Sequence, residues 1–179
     1  ARLNSWLNAS YEEELRQSPM QLTTLGRKTS YTEIDDFSEA GELAKYRLLE
    51  QSVAELRRTF DYEKLTPEGR ISYDYWIYRL QVFKEGLPFL RHHYQFTTEW
   101  GAHSYLPEFL INLHSVDTEQ EMLDYISRVR ASARALRQSL QRAQVAAEEG
   151  IRPPRFAHES VIDVSGKVIT GAPFNADAD

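Results

Sequence analysis

The sequence has no cysteine. That removes disulfides, thiolate nucleophiles and thiolate metal ligands together, and it leaves the cellular compartment open. No apolar run comes near the ~20 residues a membrane span requires, so no transmembrane segment is expected. There is no basic excess either: 21 Lys and Arg stand against 27 Asp and Glu, a formal net charge of −6. Duplex-binding domains carry a basic stripe, because phosphate neutralisation supplies most of their affinity. Here Arg128, Arg130, Arg134, Arg137 and Arg142 share a helical stretch with Glu119, Glu121, Glu148 and Glu149. That mixture reads as a solvated face, and nucleic acid is not expected as a partner. The sequence also lacks a G-x-S-x-G elbow, a phosphate-binding glycine loop and a dinucleotide fingerprint.

What is present is ordinary globular material. Hydrophobic residues make up 41% of 179 and charged residues 27%, enough for a core in a chain of this size. The exception is residues 171–179, small and acidic, which read as a tail or linker behind a helical domain over 1–170. The chain opens at Ala1 without an export-signal pattern and closes on Asn175-Ala176-Asp177-Ala178-Asp179. It reads as part of a longer protein, either trimmed of a targeting segment or cut.

Helical periodicity dominates. Leu3, Trp6, Leu7, Tyr11 and Leu15 share one face, and Ser18-Pro19 ends that helix and opens a short one closed by Gly26. A long helix is expected from Ser38, with Leu49, Val53, Leu56 and Phe60 as its buried stripe. The Asp35-Asp36 pair before it reads as an N-terminal cap. Thr66-Pro67-Glu68 is a start signal for a third long helix. Its inner face is read as Ile71, Tyr75, Tyr78 and Val82, with Gly86 and Pro88 at its end. Tyr73, Tyr75, Trp76 and Tyr78 read chiefly as packing surface.

Residues 88–101 (PFLRHHYQFTTEWG) form an irregular aromatic crossing segment, and a shorter helix over 104–114 points Leu106, Leu110 and Leu113 inward. Thr118-Glu119-Gln120-Glu121 is a capping box. It opens the clearest helix, ~45 Å long at 1.5 Å per residue, with Met122, Ile126, Val129, Ala133, Leu136, Leu140, Ala143 and Ala147 as the stripe expected to be buried. Gly150 stops it, Pro153-Pro154 breaks the chain, and a last helix runs over about 155–170. The fold class expected is all-α, an antiparallel bundle of about six or seven helices.

Chemistry is sparse. His158-Glu159 begins like H-E-x-x-H, where two histidines four apart bind zinc and the Glu activates water; here the fifth position is Ile162, so the pair reads as an accident. His92 and His93 are adjacent and point apart on regular structure. Glu99 and His103 are four apart, but Gly101 lies between them. No metal site and no catalytic residue is expected within the chain. Binding residues concentrate on loops held by a rigid scaffold, so the aromatic crossing segment is the expected substrate-contacting region. His92, Trp100 and His103 are its candidate residues.

Four stretches carry a family likeness: ARLNSWLNASYEEELRQSPMQLTTLGRK, FDYEKLTPEGRISYDYW, LPEFLINLHSVDTEQEMLDYISRV and AAEEGIRPPRFAHESVI. With the GIRPPR turn after the long helix as the most specific feature, the chain resembles the N-terminal part of the bacterial domain of unknown function 885 family. Members are longer and look like helical zinc metallopeptidases, with an H-E-x-x-x-G-H-type motif C-terminal of anything matched here. The resemblance therefore implies a cleft-forming N-terminal portion of a zinc-dependent peptidase-like hydrolase. Zinc would be held elsewhere in the parent, and the partners would be the C-terminal remainder of the polypeptide and a peptide-like substrate. Export or lipid-attachment signals in members imply a periplasmic or envelope-attached location, the other possibility being cytoplasmic. The alternative reading is a non-catalytic helical binding or interaction module of the cell envelope.

Overall fold

A helix begins where something can satisfy its free N-terminal N–H groups, and the strongest start signals in the sequence do this. The computed structural model describes residues 1–171. These form seven α-helices and, among the described residues, no strand: α1 (Arg2–Arg16), α2 (Pro19–Thr24), α3 (Glu39–Thr59), α4 (Pro67–Gly86), α5 (Ala102–Asn112), α6 (Glu119–Glu148) and α7 (Arg155–Thr170). Ser38 Oγ accepts from Gly41 N at 3.0 Å, Thr66 Oγ1 from Gly69 N at 3.2 Å and Thr118 Oγ1 from Glu121 N at 3.2 Å. The reciprocal half of the capping box falls one residue early, with Asp117 N donating to Glu121 Oε2 at 2.7 Å. The Asp35-Asp36 pair divides: Asp35 accepts from Met20 N in α2, and Asp36 accepts from Ser38 N just before α3. The tail expected at 171–179 lies, Gly171 apart, outside the described residues.

Two apolar clusters hold the helices. One joins α1, α3 and α4 through Leu3, Leu49, Val53, Leu56, Tyr73 and Trp76, with the Trp76 indole N–H donating to Ser52 Oγ at 2.9 Å. The other joins α2, the loop before α3, α5 and α6 through Met20, Ile34, Leu106, Phe109, Leu110 and Ala135.

Two expected inner faces are instead open. On α4 the core takes Tyr73 and Trp76, backed by Ile77, Leu80 and Phe83, while Ile71, Tyr75, Tyr78 and Val82 are exposed. This helix carries apolar stripes on two sides, and periodicity does not say which one the chain covers. On α6 the reversal is greater. Met122, Ile126, Val129, Leu136 and Leu140 are exposed, while Arg128, Ser132, Ala135, Ser139 and Ala146 are buried. The edge of the Arg-bearing face that carries Arg128 turns inward, while Arg130, Arg134 and Arg137 are exposed as expected. It does so because the irregular loop between α2 and α3 packs along that edge and brings carbonyls that need donors. Arg128 Nε reaches Glu33 O at 2.9 Å, Arg134 reaches Ile34 O at 2.7 Å and Arg142 reaches Phe37 O at 3.3 Å. Gln138 adds two more bonds, accepting from Phe37 N and donating to Asp36 Oδ1. Leu113, expected inward on α5, is also exposed.

This assignment has a direct stability test. Leu56, fully buried, should cost roughly 2–5 kcal/mol on truncation to Ala. Leu136→Ala in the same 179-residue chain should cost only about 1 kcal/mol or less, as at other partly open positions. Chemical denaturation of the two variants checks it, and equal losses would restore the buried stripe on α6.

Candidate functional site

The open stripe of α6 is the floor of the candidate site. α7 packs chiefly on α5 and faces that stripe across two depressions, which it lines from the far side. The first, about 330 Å³, lies over Val129, Ser132 and Leu136, with Ala102, His103 and Leu106 of α5 and Val168 and Ile169 of α7. The second, about 310 Å³, lies over Leu140, Ala143 and Ala147, with Phe96, the Ile151–Pro153 turn, and His158 and Val161 of α7. The α7 residues of the second precede those of the first while the α6 residues follow, so the two helices run in opposite senses. From Ser132 to Ala143 is ~16 Å along α6, the length of about five residues of extended peptide.

The crossing segment is positioned by few but specific contacts. Arg91 bonds the Glu39 carboxylate of α3 at 3.0 and 3.1 Å and also pairs with Glu149 just after α6. The two carboxylates hold the Arg91 pKa above its ordinary value, and Arg91 holds that of Glu39 below its own. Beyond it, Phe96 and Gly101 form a single antiparallel bridge. Thr97 N donates to Trp100 O at 2.8 Å, and Thr97 Oγ1 accepts from Trp100 N at 2.9 Å. Gly101 is required for close approach: a Cβ there would lie 2.7 Å from His103 Nδ1 and 2.8 Å from Gln95 O.

The three candidate residues therefore part company. His103 is 7% exposed and lines the first depression. Its Nδ1 is buried without a hydrogen-bond partner, and burial pushes its pKa below the ordinary histidine value, so the imidazole is neutral at pH 7. Trp100 stands 65% exposed on the bridged turn, and His92 packs edge-on against Phe89 at 5.5 Å. Neither of them lines the two depressions. The second depression instead collects His93 and His158, which sequence spacing could not bring together because they are far apart in the chain. The one sequence signal for His158 was the incomplete zinc motif, and Ile162, where its partner would stand, points to solvent.

A second histidine is buried for another reason. His114 stacks on Tyr31 with ring centroids 3.9 Å apart. Its Nδ1 lies 3.0 Å from Arg128 Nη1, and since a guanidinium only donates, that nitrogen must be the unprotonated one. Burial first and the Arg128 charge second push its pKa down. This cluster lines neither depression and serves to anchor the loop before α3.

Among the described residues no three His, Asp or Glu side chains group as a metal site, so those residues do not fit zinc. Nor is any helix there long and apolar enough to cross a membrane.

A family model described as a bacterial protein of unknown function (DUF885) matches residues 19–178. The chain belongs to that family. No curated protein and no solved structure matches it. Family membership reaches from α2 past α7, so both depressions and every candidate residue lie inside the matched region.

Proposed function

We propose that this chain is the N-terminal helical, cleft-forming portion of a zinc-dependent peptidase-like hydrolase. The zinc ligands and catalytic groups would come from the C-terminal remainder of the same polypeptide. The observation that carries the reading is the stripe of α6, apolar over most of its length, open to solvent and facing α7 across two aligned depressions. Long apolar grooves with a few polar groups are what chain-like ligands occupy, and the ~16 Å offset along α6 suits side chains several residues apart on an extended peptide. Neutral His103 gives the first depression a donor or acceptor for a peptide amide. Trp100 and His92, both exposed, would meet substrate at the edge of the crossing segment. A cell-envelope location belongs to the same proposal.

A second reading is favoured by the other open face. Ile71, Tyr75, Tyr78 and Val82 on α4 form an exposed aromatic-rich surface, which would serve a non-catalytic interaction module of the envelope equally well.

Metal content and turnover of the full-length protein separate the two. The hydrolase reading expects about one zinc per full-length chain after desalting, consistent with a catalytic site of three protein ligands. It expects none held by the 179-residue chain. In the full-length protein Trp100→Ala should lower kcat/KM with the melting temperature nearly unchanged, because the side chain is exposed. His103→Ala should lower both. A zinc-free protein, or unchanged turnover in both variants beside a large loss of thermal stability in His103→Ala, would leave the crossing segment as packing alone.

A further inference from the structure

The second depression has a chemistry of its own, independent of whether the parent hydrolyses peptides. We propose that it is a binding pocket for an apolar group that carries a carboxylate. The floor is low because Ala143, Ala146 and Ala147 stand where larger side chains would fill the space, and the walls include Phe96, Val161 and Pro153. Its volume of about 310 Å³ sits at the small end of ligand pockets and is roughly twice the ~150 Å³ that holds a benzene ring. An aryl or branched aliphatic group with a short polar extension fits that space.

The polar groups select the extension. In a chain of net charge −6, no Asp or Glu among the described residues lines this pocket, while Arg152, His93 and His158 do. Arg152 Nε donates to Ala147 O at 3.2 Å, which ties the guanidinium to the end of α6. Nearby arginines are occupied: Arg91 by Glu39 and Glu149, and Arg155 by Glu159. Arg152 forms no ion pair among the described residues. A guanidinium with free N–H groups beside an apolar hollow recognises a carboxylate through charge-assisted bonds, and the two imidazoles offer further donors. The carboxylate has two chemical sources, the C-terminal residue of a peptide or a free aryl-substituted acid.

Calorimetric titration of the full-length protein separates these. The probes are N-acetyl-phenylalanine, 3-phenylpropionate and N-acetyl-phenylalaninamide, which has the ring but no carboxylate. Saturable binding of at least one acid is expected, with the amide at least ten times weaker. Arg152→Gln should weaken acid binding roughly ten- to a hundredfold, as expected for a hydrogen bond to a charged group, and leave the amide unaffected. Ala143→Leu, which fills the floor, should remove binding of all three. Tighter binding of the acetylated amino acid than of phenylpropionate identifies the peptide terminus, and equal binding identifies the free acid. No saturable binding of either acid, equal binding of the amide, or full affinity in Arg152→Gln or in Ala143→Leu overturns the proposal.

Discussion

Arg128→Ala should destabilise the 179-residue chain by about 3–5 kcal/mol, the sum expected for two orphaned acceptors and the void of a long buried side chain. Arg128 is fully buried, and no ion pair is formed by it among the described residues. An isolated buried charge is costly, and desolvation pulls the Arg128 pKa below its usual value. The cost is offset by geometry. The guanidinium donates to Glu33 O at 2.9 Å, Pro19 O and Ser30 O at 3.3 Å each, and His114 Nδ1 at 3.0 Å. It also sits 4.8 Å from the Tyr31 ring centroid and 5.2 Å from that of Phe109, so two aromatic faces stabilise the charge.

One side chain thus ties α2, the loop before α3, α5 and the segment after it to α6. Arg128→Met separates the contributions. It keeps an apolar stem and removes the charge, but leaves the Glu33 carbonyl and the His114 nitrogen unpaired, while Pro19 O still accepts from Thr23 Oγ1 and Ser30 O from Glu33 N. Its loss should be smaller than that of Ala yet still about 2 kcal/mol, from orphaned acceptors alone. Denaturant titration measures both. A Met variant as stable as wild type would mean that desolvating the charge cancels everything the guanidinium gives, as happens when buried ionic groups are replaced by well-packed apolar ones.

The same residue shows where reading the sequence stopped. Helix starts were legible because they are local: Ser38, Thr66 and Thr118 each meet an N–H three residues on. The stripe Leu49, Val53 and Leu56 was legible because α3 has one strongly apolar face. On α6 the apolar and polar faces were both visible, but amphipathicity only divides a helix and does not say which side its own chain covers. Arg128, Arg134, Gln138 and Arg142 resemble a solvated face in composition. What distinguishes them is an irregular loop over 25–37 whose carbonyls must find donors. The pairing of that non-helical stretch with regularly spaced long donors was the signal that could have inverted the assignment.

The candidate site was legible to a similar depth. His103 was reachable from its place at the start of a helix in an aromatic loop. Its company in the first depression was not, since Val129 and Leu136 were read as core. His93, Arg152 and His158 gather from three segments, and only the chain reversal through Pro153-Pro154 brings α7 back along α6. No spacing within a single element encodes that meeting.

The second large effect concerns the trough itself. Leu136 is 37% exposed and lines the first depression beside His103. Leu136→Trp would place a bulky ring in that space without removing any buried contact. Its folding cost should therefore stay within about 1 kcal/mol, as for partly exposed sites generally. Blocking a substrate-binding trough removes transition-state binding, so kcat/KM should fall roughly a hundredfold, which is about 2.7 kcal/mol of lost stabilisation. Ile71→Trp on the open face of α4 is the control, since it adds equal bulk away from the trough.

The most direct measurement is kcat/KM for peptide hydrolysis by the zinc-loaded full-length protein as wild type, Leu136→Trp and Ile71→Trp, each with its melting temperature. The account predicts a fall of about two orders of magnitude in Leu136→Trp alone, with melting temperatures alike. Unchanged turnover in Leu136→Trp, or an equal fall in Ile71→Trp, would contradict it.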